Sequence, residues 1–178
     1  LGIVYGQLER YQRAEACLRK VLSVRPEDPK ALSTMGSVFL SRKDYDRAIR
    51  YYSTASQSGK GRADYALFQK AITQGASGAF ADKTGTLKKL VNEHPGSTYA
   101  DDAKYELGVS YLLLNKNSDA LSWFNRVVKD HPNSRFVVKS LLKSGLIYYN
   151  ERRNNDALEV LKQVVNKYPG TPESREAL

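Results

Sequence analysis

The sequence predicts an all-α protein, a solenoid built of antiparallel helix pairs, and two observations carry that prediction. The first is a repeat. The segment from Pro95 to Pro132 is followed at once by a second copy of itself, from Pro132 to Pro169. Gly108 falls on Gly145, Tyr111 on Tyr148, Ala120 on Ala157 and Val127 on Val164, each pair 37 residues apart. Phe124 falls on Leu161 and Asp119 on Asp156. The second is the pattern inside each copy, where apolar residues recur at spacings of three and four, as on one face of a helix. A fixed period of this length, with two helical stripes in each period, sets the architecture before any other feature is considered.

The register extends towards the N-terminus. A glycine ladder runs Gly2, Gly36, Ala71, Gly108, Gly145, with steps of 34, 35, 37 and 37. An alanine ladder (Ala14, Ala48, Lys83, Ala120, Ala157) and a proline ladder (Pro26, Lys60, Pro95, Pro132, Pro169) keep the same steps. The expected organisation is one array over residues 1–178. Its units are 1–27 (partial), 28–61, 62–95 (degenerate), 96–132, 133–169 and 170–178, the start of a further unit. Since Gly2 already holds a marker position and 170–178 opens a new helix, the chain is expected to be a segment of a larger repeat protein.

The elements follow in order. Leu1 to Gln7 is read as the end of a first helix, with Glu9 to Val24 as its partner, closed by Pro26. Asp28 to about Leu40 is the next helix, with Glu27 and Asp28 at its positive end. Asp44 to Ser56 follows, turning Ala48, Ile49, Tyr52 and Ala55 inward. Ser56 to Gly61 is a loop. Arg62 to Gln74 is a helix, and the glycine-rich Gly75 to Gly85 is expected to lengthen the turn as far as Ala79. That stretch is read as a site of flexibility or of a change in solenoid direction, against plain degeneration of the repeat. Gly85, inside the helix that ends near Glu93, costs about 1 kcal/mol relative to Ala.

Tyr99 to about Leu114 and Ser118 to about Lys129 form the fourth pair, joined by a turn at Asn115, Lys116 and Asn117. Gly108 and Ala120 are placed on facing surfaces of the two helices, where larger side chains would hold the backbones apart. Pro132 ends the pair. Thr171-Pro172-Glu173 starts a further helix, with a capping hydroxyl, a first-turn proline and an acid suited to the dipole. No helix of this kind buries its apolar stripe alone, so the units must stack.

The residues that could carry chemistry have structural explanations. His94 and His131 both precede a junction proline, and Tyr168 takes their place in the next copy, which reads as turn packing. No Cys/His cluster with zinc spacing and no glycine-rich phosphate loop is present. Asp101 and Asp102 fall in the first turn of a helix, where acids favour the dipole. Ser110, Ser118 and Ser122 are explained by the repeat without a paired base. No catalytic, cofactor or metal site is therefore expected, and the chain is read as non-enzymatic. The single cysteine, Cys17, is expected to be buried beside Leu18 and Val21. It excludes an internal disulfide framework, which fits cytosol and does not exclude periplasm. No apolar run approaches the roughly 20 residues of a membrane helix.

The net charge of +9 is spread unevenly. Residues 1–58 carry +4, 59–95 carry +3, 96–132 carry −1 and 133–178 carry +3. Basic residues come in short pairs and not in a stripe that could track phosphates, so nucleic acid is disfavoured as a partner. Acidic protein partners suit the excess better.

Gly and Tyr three apart, Ala twelve after the Gly, an aromatic residue or Leu four later and Pro near the end of the unit resemble the tetratricopeptide repeat, over nearly the whole chain. The longer 37-residue step, with Pro-Gly-Ser or Pro-Asn-Ser at the junction, is similar to bacterial cell-envelope repeat proteins of the Tol-Pal accessory and outer-membrane assembly lipoprotein types. That narrower resemblance implies the envelope or periplasm, with the cytoplasm as the alternative. The family resemblance implies a right-handed superhelix whose first helices line a concave face. Positions three before, one after and four after the marker glycine then point into a groove.

Those positions give Ser33, Ser37 and Leu40 in the second unit. They give Phe68, Ile72 and Gly75 in the third, with Tyr65 one turn earlier. In the fourth they give Tyr105, Val109 and Leu112, with Asp102 and Glu106 nearby. In the fifth they give Leu142, Leu146 and Tyr149, with Lys139 and Lys143 nearby. Tyrosine offers contact area at low entropy cost. The equal alternative is that these residues are ordinary core between repeats. A carboxylate-clamp mode is rejected, because Ser33, Ser37, Phe68 and Ile72 stand where its Lys and Asn would be. The expected function is a scaffold binding a peptide or protein segment on the concave face. A spacer or self-association module, and a basic surface for an anionic polymer, are the two alternatives.

Overall fold

A computed structural model describes residues 2–58 and 61–178, the side chains of residues 2–8 excepted. Leu1, Gly59 and Lys60 lie outside the described residues, and so do the place of Lys60 in the proline ladder, part of the Ser56–Gly61 loop and the packing expected around Gly2. Ten helices are present among the described residues: α1 (Gly2–Val24), α2 (Pro29–Ser41), α3 (Tyr45–Gln57), α4 (Ala63–Ala76), α5 (Phe80–Glu93), α6 (Ala100–Leu113), α7 (Asn117–Asp130), α8 (Val137–Asn150), α9 (Asn154–Lys167) and α10 (Pro172–Glu176). They group into two units, Leu1–His94 with α1 to α5 and Pro95–Leu178 with α6 to α10. Within each unit every helix packs on its neighbour in sequence; in addition α2 touches α4, and α10 touches α8.

The helix pairs close through one backbone device. Four times the first helix ends in a residue with positive φ, and in three of the four it is not glycine: Lys43 (φ 59°), Asn115 (φ 56°) and Arg152 (φ 60°), with Gly78 (φ 81°) as the fourth. In each case the residue after it donates its N–H five residues back, as from Asp44 to the Phe39 carbonyl at 2.9 Å and from Lys116 to the Tyr111 carbonyl at 2.8 Å. The left-handed residue itself donates three back, as from Lys43 to Leu40 and from Asn115 to Leu112, both at 2.9 Å. This Schellman arrangement satisfies the last carbonyls of the helix and reverses the chain. Gly78 makes the same pair of bonds, to Gly75 directly and to Gln74 through Ala79. The glycine-rich turn reaches Ala79, as expected, and α5 begins at Phe80, but at three residues it has the length of the other turns and is not lengthened. Glycine is used there because it enters the left-handed region without strain.

One expected turn is missing. Glu9 stands seven residues after Gly2, the place held by Lys43 and Asn115 in their units, yet α1 runs unbroken from Gly2 to Val24. Gln7, Leu8, Glu9 and Arg10 are good helix formers, and nothing in the stretch competes with the helix. Thr171 caps α10 by accepting from the Ser174 N–H at 3.1 Å, and Asp28 caps α2 by accepting from Ala31 at 2.8 Å.

The core lies between helices of a pair. A methyl on Gly145 would sit 2.5 Å from Leu161, and one on Gly36 would sit 2.8 Å from the Tyr52 ring. A methyl on Gly108 would come closer still to Phe124. The large residue seated on the marker glycine is thus the one sixteen positions later, not the alanine at twelve; Ala120 is fully buried one turn away. In α1, Leu18 and Leu22 pack against the cluster of Met35, Phe39, Ala48 and Tyr52. Cys17, expected to be buried with them, is exposed. Its side of α1 turns away from α2, the helix that covers the Leu18 flank.

Two buried lysines replace apolar residues of the pattern. Lys83 lies in the alanine ladder, with its stem against Gly75. Lys104, 9% exposed, lies in the row Leu32, Leu67, Lys104, Leu141. Its ammonium donates to the Asp130 carboxylate at 2.6 Å and meets His131 Nε2 at 3.0 Å.

Candidate functional site

The residues singled out for a groove fall on the first helices of the pairs. In the first unit three of them converge. Ser33 and Ser37 of α2 and Tyr65 of α4 line a cleft of about 490 Å³, together with Pro29, Lys30, Thr34, Gly61 and Arg62. On α2 the polar residues Lys30, Ser33, Thr34 and Ser37 keep helical spacing, so one face of the helix carries them all. That stripe was readable in the sequence, although only Ser33 and Ser37 were drawn from it. The hydroxyls of Thr34 and Ser37 donate to the carbonyls of Lys30 and Ser33, at 2.7 Å and 3.1 Å. Ser37 Oγ also lies 2.9 Å from the Tyr52 hydroxyl, whose burial, above all, raises its pKa against the opposing Ser37 bond. The Arg62 guanidinium stacks over the Tyr65 ring at 5.0 Å. Phe68 and Ile72 continue along α4, half-buried, as does Gly75.

In the second unit the face is organised around Tyr105. Its ring stacks on Phe136 at 4.7 Å and tilts against Phe124 at 5.8 Å. Burial raises the Tyr105 hydroxyl pKa first of all, with the nearby carboxylates of Glu106 and Glu173 adding to it. Asp102 accepts from Arg135 at 2.9 Å, and Arg135 lies over Phe136 at 4.7 Å. Asp101 accepts from the Ser134 hydroxyl at 2.6 Å. The paired carboxylates therefore tie the first turn of α6 to the junction before α8. Burial pushes both carboxyls up. For Asp101 the Ser134 hydroxyl, the Asp102 N–H and His131 outweigh it and the pKa is lowered; for Asp102 it prevails over Arg135 and the pKa is raised.

Not every expected residue lines a surface. Leu142 is 4% exposed and Ser33 8%, so Leu142 belongs to the core and Ser33 shows only its edge to the cleft. The larger share of the fifth-unit apolar contribution then falls to Tyr149, 65% exposed. Leu40, Glu106, Val109, Leu112, Lys143 and Leu146 are half-buried and Lys139 is exposed. No group of His, Cys, Asp and Glu able to hold a metal ion occurs among the described residues. Among the described residues no helix is long and apolar enough to cross a membrane.

Helix pairs closed by one turn, seated by small-on-large contacts and carrying a half-polar, aromatic face define a protein-binding helical repeat. Tetratricopeptide repeat models match residues 1–63, and 102–134 with 139–171, well over half of the sequence between them. The chain belongs to the tetratricopeptide repeat family. No curated protein matches it. Similar solved structures include MamA, 17% identical with a TM-score of 0.72, covering 90% of this chain and 86% of MamA. YrrB, described as a tetratricopeptide protein with an unusual peptide-binding site, is 17% identical with a TM-score of 0.72, over 98% of this chain and 86% of YrrB. PilW, described as a widely conserved type IV pilus biogenesis factor, is 19% identical with a TM-score of 0.73, over 97% of this chain and 77% of PilW. At these identities the likeness is one of fold.

Proposed function

We propose that the chain is a non-enzymatic interaction scaffold that takes a peptide or protein segment on the face formed by the first helices of its pairs. The observation that carries this reading is the cleft where Ser33 and Ser37, two of the groove positions the family resemblance implies, meet Tyr65, one turn before a third such position. The peptide-binding site named for YrrB supports the same use of this architecture. The Pro-Gly-Ser and Pro-Asn-Ser junctions of the 37-residue units favour the bacterial envelope as the place where it acts.

A displayed peptide library, selected against the wild type and against Tyr65→Ala with Tyr149→Ala, tests the reading. Peptides retained by the wild type and lost by the variant, at unchanged helicity, are expected. Equal selection by both proteins sinks the assignment of this face.

A second reading has one observation in its favour. Leu158 is 54% exposed on α9, whereas Leu121, at the same place on α7, is 8% exposed. A leucine left uncovered where its counterpart is covered is a place a second copy would shield. Mass that rises with concentration, and falls back with Leu158→Lys, is the expected sign of it.

A further inference from the structure

The cleft between α2 and α4 has a one-sided polarity. Two cations, Lys30 and Arg62, stand among its lining residues, and no carboxylate does. Lys30 makes no ion pair among the described residues, while Asp28 beside it is engaged by Arg25 and by the α2 cap. Arg62 is held in place over the Tyr65 ring. The whole unit is basic, with sixteen Lys and Arg against nine Asp and Glu over residues 1–94. The hydroxyl proton of Thr34 is committed to a backbone carbonyl, which leaves its exposed oxygen as an acceptor. A site that offers cations beside an outward acceptor and an aromatic face matches a ligand that brings carboxylates together with N–H donors and apolar carbon. A bare inorganic anion brings only the first of these.

We propose that the α2–α4 cleft binds an extended acidic peptide segment, a Glu or Asp side chain reaching Lys30 and Arg62 while a backbone N–H of the same segment is donated to Thr34 Oγ1 and an apolar neighbour lies on Tyr65. This rests on the interaction-scaffold reading and adds the chemistry of the partner. Charge-assisted bonds to a carboxylate are the strong polar terms in such a site. The Lys30 ammonium supplies a point charge for the carboxylate, and the Arg62 guanidinium adds to the positive field of the cleft.

Fluorescence anisotropy with the whole chain tests it. The probes are a dye-labelled, end-blocked peptide of alternating Glu and Leu, its Gln/Leu isostere and a dye-labelled single-stranded oligothymidine. The Glu peptide is expected to bind about tenfold or more tightly than the Gln isostere, and to weaken as salt is raised. Lys30→Gln with Arg62→Gln should bring the Glu peptide to the level of the isostere. Lys20→Gln, the same single change of charge as Lys30→Gln alone but placed on exposed α1, should leave it unchanged. Equal affinity for the Glu and Gln peptides overturns the proposal, and so does a Lys20→Gln loss as large as that of Lys30→Gln. Tighter binding of the oligothymidine, abolished by the same two cleft substitutions, overturns it in favour of nucleic acid. The wider reading is separable through Tyr65→Ala. If that variant loses both peptides while the wild type does not distinguish them, the face still binds peptides and only the acidic preference falls. If neither peptide binds the wild type, both fall together.

Discussion

Lys104 illustrates how a single side chain can depart from a pattern and remain accommodated. It takes a leucine position, and the cost of burying its ammonium is offset by Asp130 and His131. Buried ion pairs of this sort are often no more stable than a well-packed apolar residue. Lys104→Leu is therefore expected to keep or raise the melting temperature at neutral pH, which thermal unfolding by circular dichroism measures. The acid limb should change too. The bond from Lys104 holds the Asp130 carboxyl below its ordinary value, against a smaller opposing effect of burial, and Asp101 is lowered as well. Lowered carboxyls stabilise the fold above the ordinary value, about 3.9, and that contribution is lost as pH falls through their folded values. Asp102, raised by burial, has the opposite sign: its contribution is present in acid and is lost as pH rises through its folded value. Melting temperature should thus fall below about pH 4, and fall less steeply in Lys104→Leu. The lysine was visible in the sequence. What made it tolerable was not, because Asp130 and His131 lie one helix away and ordinary junction packing explained them equally well.

At the scale of the element, the small-on-large contact decides which glycines matter. Gly108 has Phe124 seated on it, whereas Gly85, inside α5, has open space where a Cβ would go. Gly108→Ala should cost about 1–3 kcal/mol by overpacking. Gly85→Ala should gain about 0.5–1 kcal/mol from helix propensity. Denaturant titration of the two variants measures both, and equal effects would refute the seating argument. The ladder placed Gly108 correctly in the pattern. It assigned Gly108 to face Ala120 because two small residues suggest close approach, while the helices instead set a small residue under a large one. The turns after α2, α6 and α8 were legible as positions more than as chemistry: Lys43 and Arg152 are cationic and Asn115 is a neutral amide. The backbone bonds that close the turn are indifferent to side-chain identity apart from the left-handed φ, and this is why the glycines near Gly78 suggested a special joint where there is an ordinary one.

For the whole molecule, the division at His94 and Pro95 coincides with a repeat junction read from the sequence. Gly36 and Gly108 fall in different units and share no packing partner. Substituting both by Ala should therefore destabilise the protein by the sum of the two single effects, within about 0.5 kcal/mol. A larger departure, read from the same denaturant titrations, would mean that the units are energetically coupled. Helix pairing from α2 to α9 was written in the ladders, because each of those pairs meets the same packing problem; the first unit, where α1 runs unbroken, departs from it. The cleft was only half written. Ser33 and Ser37 are groove positions and Lys30 and Thr34 share their stripe on α2, but Arg62 and Gly61 lie before α4, where no repeat position marks them.

The exposure of Cys17 has a practical side. One accessible sulfur on an otherwise cysteine-free chain is a natural attachment point: a maleimide dye placed there gives one fluorophore per molecule without mutagenesis. The same sulfur links two chains covalently once an oxidant is present. Any mass measurement meant to detect association through Leu158 therefore belongs in reducing buffer, where a doubled mass reports the apolar patch and not a disulfide.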